Sequence, residues 1–167
     1  MKKLCAFLLI SLFASAAFAQ EATDHLVRWR TIVGVITAQN VVNPIANIQS
    51  GTFAWSARSG RAAVDLETGA VYFEVEGLVI NGTQFSGTAG PITNVVGTVV
   101  CSAGARQQVA RDTRSVRLSS SGAAHFSGTV TGIPATCANP LFLIRIAVPT
   151  GAAGRWIATG ADRHMSF

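Results

Sequence analysis

The stretch Arg61-Ala62-Ala63-Val64-Asp65-Leu66-Glu67-Thr68-Gly69-Ala70-Val71-Tyr72-Phe73-Glu74-Val75-Glu76 decides the fold class. Apolar side chains occupy alternate positions on both sides of Thr68-Gly69, the period of a strand with one buried face. Thr-Gly at the centre predicts a two-residue hairpin loop, because glycine takes the positive φ that such loops demand. That loop sets Leu66 against Val71, Val64 against Phe73 and Ala62 against Val75. The other face then pairs Asp65 with Tyr72, Ala63 with Glu74 and Arg61 with Glu76. A slip of one residue would turn the whole apolar set outward.

A second hairpin is expected around Ser120-Ser121-Gly122, a three-residue loop with glycine at its left-handed position. It sets Leu118 against Ala124, Val116 against Phe126 and Arg117 against His125. Further strands are read at His25–Thr37, Thr52–Ala57, Leu78–Ile80, Thr93–Cys101, Leu141–Val148 and Arg155–Thr159. The run Leu141–Val148 is apolar on both faces except at Arg145, which predicts a central strand. Asn81-Gly82 signals a tight turn, and Gln39–Gly51, with Asn43-Pro44 inside it, reads as a loop. No run carries the 3.6-residue period of an amphipathic helix. The expectation is an all-β, antiparallel, immunoglobulin-like sandwich of about eight or nine strands.

Phe73-Glu74-Val75-Glu76-Gly77-Leu78, following a Thr-Gly turn, resembles the chordin-type CHRD sandwich domains over a short part of the chain. The resemblance implies an immunoglobulin-like sandwich. The His-x-His element of those domains is missing here, so no functional residue carries over.

Composition narrows the class. The chain has 167 residues, 49% hydrophobic and 13% charged, with a formal net charge of +5. This excludes a disordered chain, which needs low hydrophobicity and high charge, and a heptad coiled coil. Met1–Ala19 reads as a secretory signal peptide of bacterial type. Lys2 and Lys3 lead the apolar run Leu4–Phe13, and Ala17-Phe18-Ala19 supplies the small-x-small cleavage site. The run is too short to span a bilayer, and Cys5 lies outside any lipobox context. Residues 20–167 then form a single exported domain, periplasmic or extracellular. In that domain eleven Arg face eight acids, a net charge of +3, and every Lys is gone. Three Cys become the pair Cys101 and Cys137, which an oxidising compartment joins as one disulfide.

Chemistry-bearing motifs are sparse. His25, His125 and His164 fall at no metal-ligand spacing, so a copper or zinc sandwich fails at its ligands and no cofactor is expected. His125 is read as exposed and His164 as part of a loose tail. No G-x-S-x-G, S-x-x-K or free Cys supplies a nucleophile. Glu74 and Glu76 project from one strand face about 7 Å apart, given a rise of roughly 3.4 Å per residue, which overlaps the spacing of glycosidase carboxylates. Arg106, Arg111, Arg114 and Arg117 form a candidate anion-binding cluster for lipopolysaccharide phosphate or an acidic glycan. Trp29, Trp55 and Trp156 lie on separate strands, where packing into the core competes with a sugar-stacking stripe. Asn81-Gly82-Thr83 matches a glycosylation sequon, which the Asn-Gly turn explains better.

The leading expectation is a non-enzymatic binding or structural module of the bacterial cell envelope. Its partner would be an envelope protein, a glycan or an anionic lipid head group, and export with a charge of only +3 argues against nucleic acid. Two other readings stand beside it. One is an eight-stranded outer-membrane barrel, suited by the length and the final Phe167. The other is a secreted hydrolase built on Glu74 and Glu76.

Overall fold

A computed structural model describes residues 25–38 and 40–165. The signal peptide expected at Met1–Ala19 lies outside the described residues. Among those described, eleven strands and no helix are present: β1 (Leu26–Gly34), β2 (Ala54–Ser56), β3 (Ser59–Asp65), β4 (Ala70–Glu76), β5 (Val79–Asn81), β6 (Asn94–Cys101), β7 (Val109–Asp112), β8 (Val116–Arg117), β9 (Ala124–Thr129), β10 (Leu141–Ala147) and β11 (Ala153–Met165). Nine of them make one antiparallel sheet in the order β7-β6-β10-β11-β1-β3-β4-β9, with β8 also on β6; β2 and β5 form a separate ribbon. The all-β antiparallel class is as expected, while the strand order does not identify the immunoglobulin arrangement. The strand count exceeds the expected eight or nine because short pieces add to it. β7 and β8 run in succession along β6, separated by a kink at Thr113. There Thr113 N–H donates to the Gly97 carbonyl at 2.8 Å, and Gly97 N–H donates to Thr113 Oγ1 at 3.0 Å.

A sheet with one apolar face and no covering helix can bury that face only by curling onto itself. Phe73 on β4 meets Phe142 on β10 with ring centroids 5.4 Å apart, although three strands separate β10 from β4 in the sheet. Trp29 on β1 lies 5.7 Å from Phe142, and Phe126 on β9 lies 6.0 Å from Phe73. Space for these rings comes from glycine. A Cβ on Gly97 would lie 2.7 Å from the Phe73 ring, and one on Gly160 would lie 2.6 Å from Trp29.

β10 is the central strand its sequence predicts, with Phe142, Leu143 and Ile144 all fully buried. One face joins the aromatic core. The segment 41–50 packs against this half of the sheet, with Ile45, Ala46 and Ile48 against the core and Ser50 bridging Trp156 in parallel. Arg145 interrupts the apolar run for a reason: Nε and Nη2 donate to the carbonyls of Gly154 and Ala153 at 2.7 and 2.6 Å. Its Nη1 lies 3.5 Å from Asp112, whose carboxylate also accepts the Thr98 hydroxyl. Burial lowers the Arg145 pKa and Asp112 opposes that shift.

The decisive hairpin keeps its predicted faces but not its predicted partners. Arg61 pairs with Glu74, Ala62 with Phe73, Ala63 with Tyr72 and Val64 with Val71. This is a shift of two residues from a Thr68-Gly69 loop. Asp65 causes it: its Oδ1 accepts the N–H groups of Glu67 and Thr68 at 2.9 and 3.1 Å, and its carbonyl accepts that of Gly69. Leu66–Gly69 therefore form a four-residue loop, with Gly69 at φ 71° and the Leu66 N–H donating to His25.

The second turn does form as predicted, closed by Ser119 N–H to the Ala123 carbonyl, with Gly122 at φ 83°. Its arms then part. β8 pairs with β6 and β9 with β4, so Val116–Phe126, Leu118–Ala124 and Arg117–His125 are not partners. The turn is a corner between the two halves of the curled sheet, held by Leu78 N–H to Gly122 and Ala89 N–H to Ser120. Asn81-Gly82 likewise opens a wider loop than a two-residue turn, closed by Gly87 N–H to the Ile80 carbonyl.

Cys101 at the end of β6 and Cys137 in the β9–β10 connection form the expected disulfide, both buried. Replacing both by Ala should lower unfolding free energy by about 2–4 kcal/mol, measured by urea denaturation. An unchanged midpoint would mean that the bridge does not restrain the unfolded chain. The two N–H donors, Thr68 foremost, also hold the Asp65 carboxylate below its usual pKa. A carboxylate depressed in the folded state stabilises above its unfolded pKa of about 3.9 and loses this as pH falls through the folded value. The Asp65→Ala variant should show a shallower loss of stability below pH ~4 than the parent. Parallel pH profiles would contradict the role given to this turn.

Candidate functional site

Alternation sorts the side chains of β1, β3, β4 and β9. Val27, Trp29, Ala62, Val64, Val71, Phe73, Ala124 and Phe126 point into the core. Arg28, Arg30, Arg61, Ala63, Tyr72, Glu74 and His125 therefore stand on the opposite, solvent-facing side. The register aligns them in rows: Arg28, Ala63, Tyr72 and Ser127 across one, with Arg61, Glu74 and His125 across the next. Ala63, too small to fill the space between Arg28 and Tyr72, leaves a hollow of about 370 Å³ bordered by Arg28, Arg30, Arg61 and Tyr72.

One wall of this hollow is braced. Arg61 Nε meets Glu74 Oε1 at 2.8 Å, while its guanidinium lies 5.6 Å from the centre of the Tyr72 ring. The Tyr72 hydroxyl donates to the other Glu74 oxygen and accepts from Arg61 Nη2 at 3.4 Å. The His125 ring stands edge-on to Tyr72 at 5.3 Å. Tyr72 first and Glu74 second hold the Arg61 pKa above its ordinary value. The wall thus presents a fixed guanidinium and a phenol. Chemically the arrangement can accept a planar oxyanion against arginine forks, with a ring beside it for an apolar or sugar face.

The four arginines singled out in the sequence are all exposed, each in its own surroundings. Arg106 stands in the turn after β6. Arg111 on β7 donates to the Ala110 carbonyl and lies against Gly132. Arg114, at the Thr113 kink, covers the Phe126 ring at 5.7 Å. Arg117 on β8 borders a separate hollow of about 430 Å³ together with Thr93, Asn94 and Ser120. Arg114 and Arg117 thus face different neighbours.

Glu74 and Glu76 share a strand face as expected, but their partners differ from the prediction. Arg61 binds Glu74, and Arg58 meets Glu76 at 3.7 Å. The two-residue register shift moves Arg61 from one carboxylate to the other. Trp29, Trp55 and Trp156 are 1%, 4% and 4% exposed, so all three belong to the core and do not form an exposed sugar-stacking stripe. Trp156 Nε1 donates to the Asn43 carbonyl at 2.9 Å. His125 stands on an exposed strand face as expected. His164 does not lie in a loose tail: β11 runs through it, opposite Arg28 of β1.

Sequence reasoning passed over Arg28 and Arg30. The signal was present as Arg28-Trp29-Arg30, two cations flanking a core residue on a strand. Only the β1–β3 register brings Arg61 beside them. Comparison with protein-family models, with curated proteins and with solved structures finds no match for this chain.

Proposed function

We propose that the protein is an exported, non-enzymatic binding module of the bacterial cell envelope that takes anionic groups of an envelope glycan or lipid head group. The observation that carries this reading is the placement of Arg28, Arg30 and Arg61 around the Ala63 hollow, beside Tyr72. Arginine forks match carboxylate and phosphate oxygens in pairs, and a hollow floored by alanine leaves room for the group they hold. The signal-like start of the chain, Met1–Ala19, and the joined pair Cys101–Cys137 support export.

The rival readings have less support. A transmembrane barrel turns its apolar side outward and a polar side inward. Here Trp29, Phe73 and Phe142 point inward, and the arginines stand outside. A hydrolase on Glu74 and Glu76 would need one carboxylate free to carry a proton, whereas each is met by an arginine.

The test is binding of the 20–167 chain to purified lipopolysaccharide, to an acidic polysaccharide and to vesicles of anionic phospholipid, at two salt concentrations. Saturable binding to at least one of these should weaken as salt rises. The R28A/R30A/R61A variant should lose about tenfold or more in affinity, while R106A/R111A/R114A/R117A keeps most of it. Loss confined to the second variant, or no binding to any of the three, would overturn the assignment to this face.

A further inference from the structure

A second concavity lies where the β2–β5 ribbon and the loop after it meet the ends of β10 and β11. Phe53, Trp55, Ile80, Phe85 and Ile92 wall it, Arg155 borders it, and its volume is about 240 Å³. Trp55 and Ile80 are buried at 4% and 2%, whereas Phe85 is 37% exposed. Arg155 is held in place by donating from Nη1 to the Ser50 carbonyl at 3.0 Å. Among the described residues no carboxylate pairs with Arg155.

We infer that this concavity is a binding site for a small aromatic carboxylate. An apolar cavity of roughly 150 Å³ is enough for one benzene ring, so about 240 Å³ admits a ring with a short side chain. Three of its seven apolar lining side chains, Phe53, Trp55 and Phe85, are aromatic, and offset or edge-to-face contacts with such rings add to the burial of a ligand ring. Arg155 borders the cavity with no acid partner among the described residues, and it supplies the group that fixes a carboxylate's orientation. The site draws on none of the residues of the Arg28–Arg30–Arg61 face, so the two stand or fall separately. Its ligand can be a free aryl acid or the aromatic C-terminal residue of a polypeptide, since both present a ring and a carboxylate at short spacing.

The experiment is a ¹H–¹⁵N titration of the 20–167 chain with 3-phenylpropionate, with N-acetylphenylalanine and with the neutral 3-phenylpropanamide. Saturable shifts are expected at the Trp55 indole N–H and at the amides of Phe85 and Ile92, with the acids binding at least about tenfold more tightly than the amide. Arg155→Gln should abolish that preference, and Arg155→Lys should retain most of it. Ile92→Trp, which fills the space, should remove binding of all three probes while leaving shifts elsewhere unchanged. Binding of N-acetylphenylalanine without 3-phenylpropionate would support the site with a polypeptide end as its source. Equal affinity for acid and amide, shifts centred on Arg28, Arg30 and Arg61, or no saturable shift would each overturn the inference.

Discussion

The packing of Phe73 between Phe126 and Phe142 is the contact on which the rest of this molecule depends. Phe126 lies beside Phe73 in one half of the sheet, and Phe142 comes from the other half. Trp29 packs on Phe142 from the strands between them. Without that junction the nine-stranded sheet would expose its apolar face, because no helix among the described residues covers it. Gly97 and Gly160 matter for the same reason. Each gives up a side chain where an aromatic ring must approach the backbone, and any Cβ there would overlap the ring. Curling also brings β8 close to β9, so the margins of the sheet meet at the Ser119–Ala123 corner without pairing.

A second layer follows from the first. Once β6, β10 and β11 form the middle of one half, their outer apolar residues need cover as well. The segment 41–50 provides it, tied down by the Trp156 indole, by the Ser50 bridge and by Gln108 donating to the Ala46 carbonyl. Arg145 belongs to this layer. Its guanidinium satisfies two strand carbonyls at the β10–β11 hairpin, a structural use of the one cation in an apolar strand. Among the described residues no segment covers the opposite half, and on its outer face Arg28, Arg30, Arg61 and Tyr72 stand together.

Much of this was legible along the chain, and the parts that were not have a common cause. The faces of β3 and β4, with Phe73 in the core, followed from alternation, and the central place of β10 from a run apolar on both faces, whereas the core position of Trp29 stayed open until the fold was known. The partner of Arg61 did not. A shift of two residues leaves every side chain on its own face, so the apolar pattern cannot tell Glu74 from Glu76. The Asp65 side chain makes that choice by building a longer loop. The turn at Ser120-Ser121-Gly122 was legible too, but local chemistry closes a turn without dictating where its arms go. β8 pairs with Asn94 and Val95 of β6, while β9 pairs with β4. The strand β7 was hidden because Val109–Asp112 has little apolar alternation and is held mainly by its ladder to β6.

By itself the sequence determined an all-β antiparallel chain, its disulfide between Cys101 and Cys137, and which side of β3, β4 and β9 faces inward. These follow from period-two alternation, turn residues and cysteine count, all of which act over a few neighbours or by simple parity. The register of the first hairpin is set locally by the Asp65 side chain in its loop, whereas tertiary structure decided the separation of the arms of the second hairpin and the grouping of Arg28 and Arg30 with Arg61. Those outcomes depend on contacts between residues far apart in the chain. Each is selected by what the curled sheet can pack and hydrogen-bond, and no local pattern carries that information.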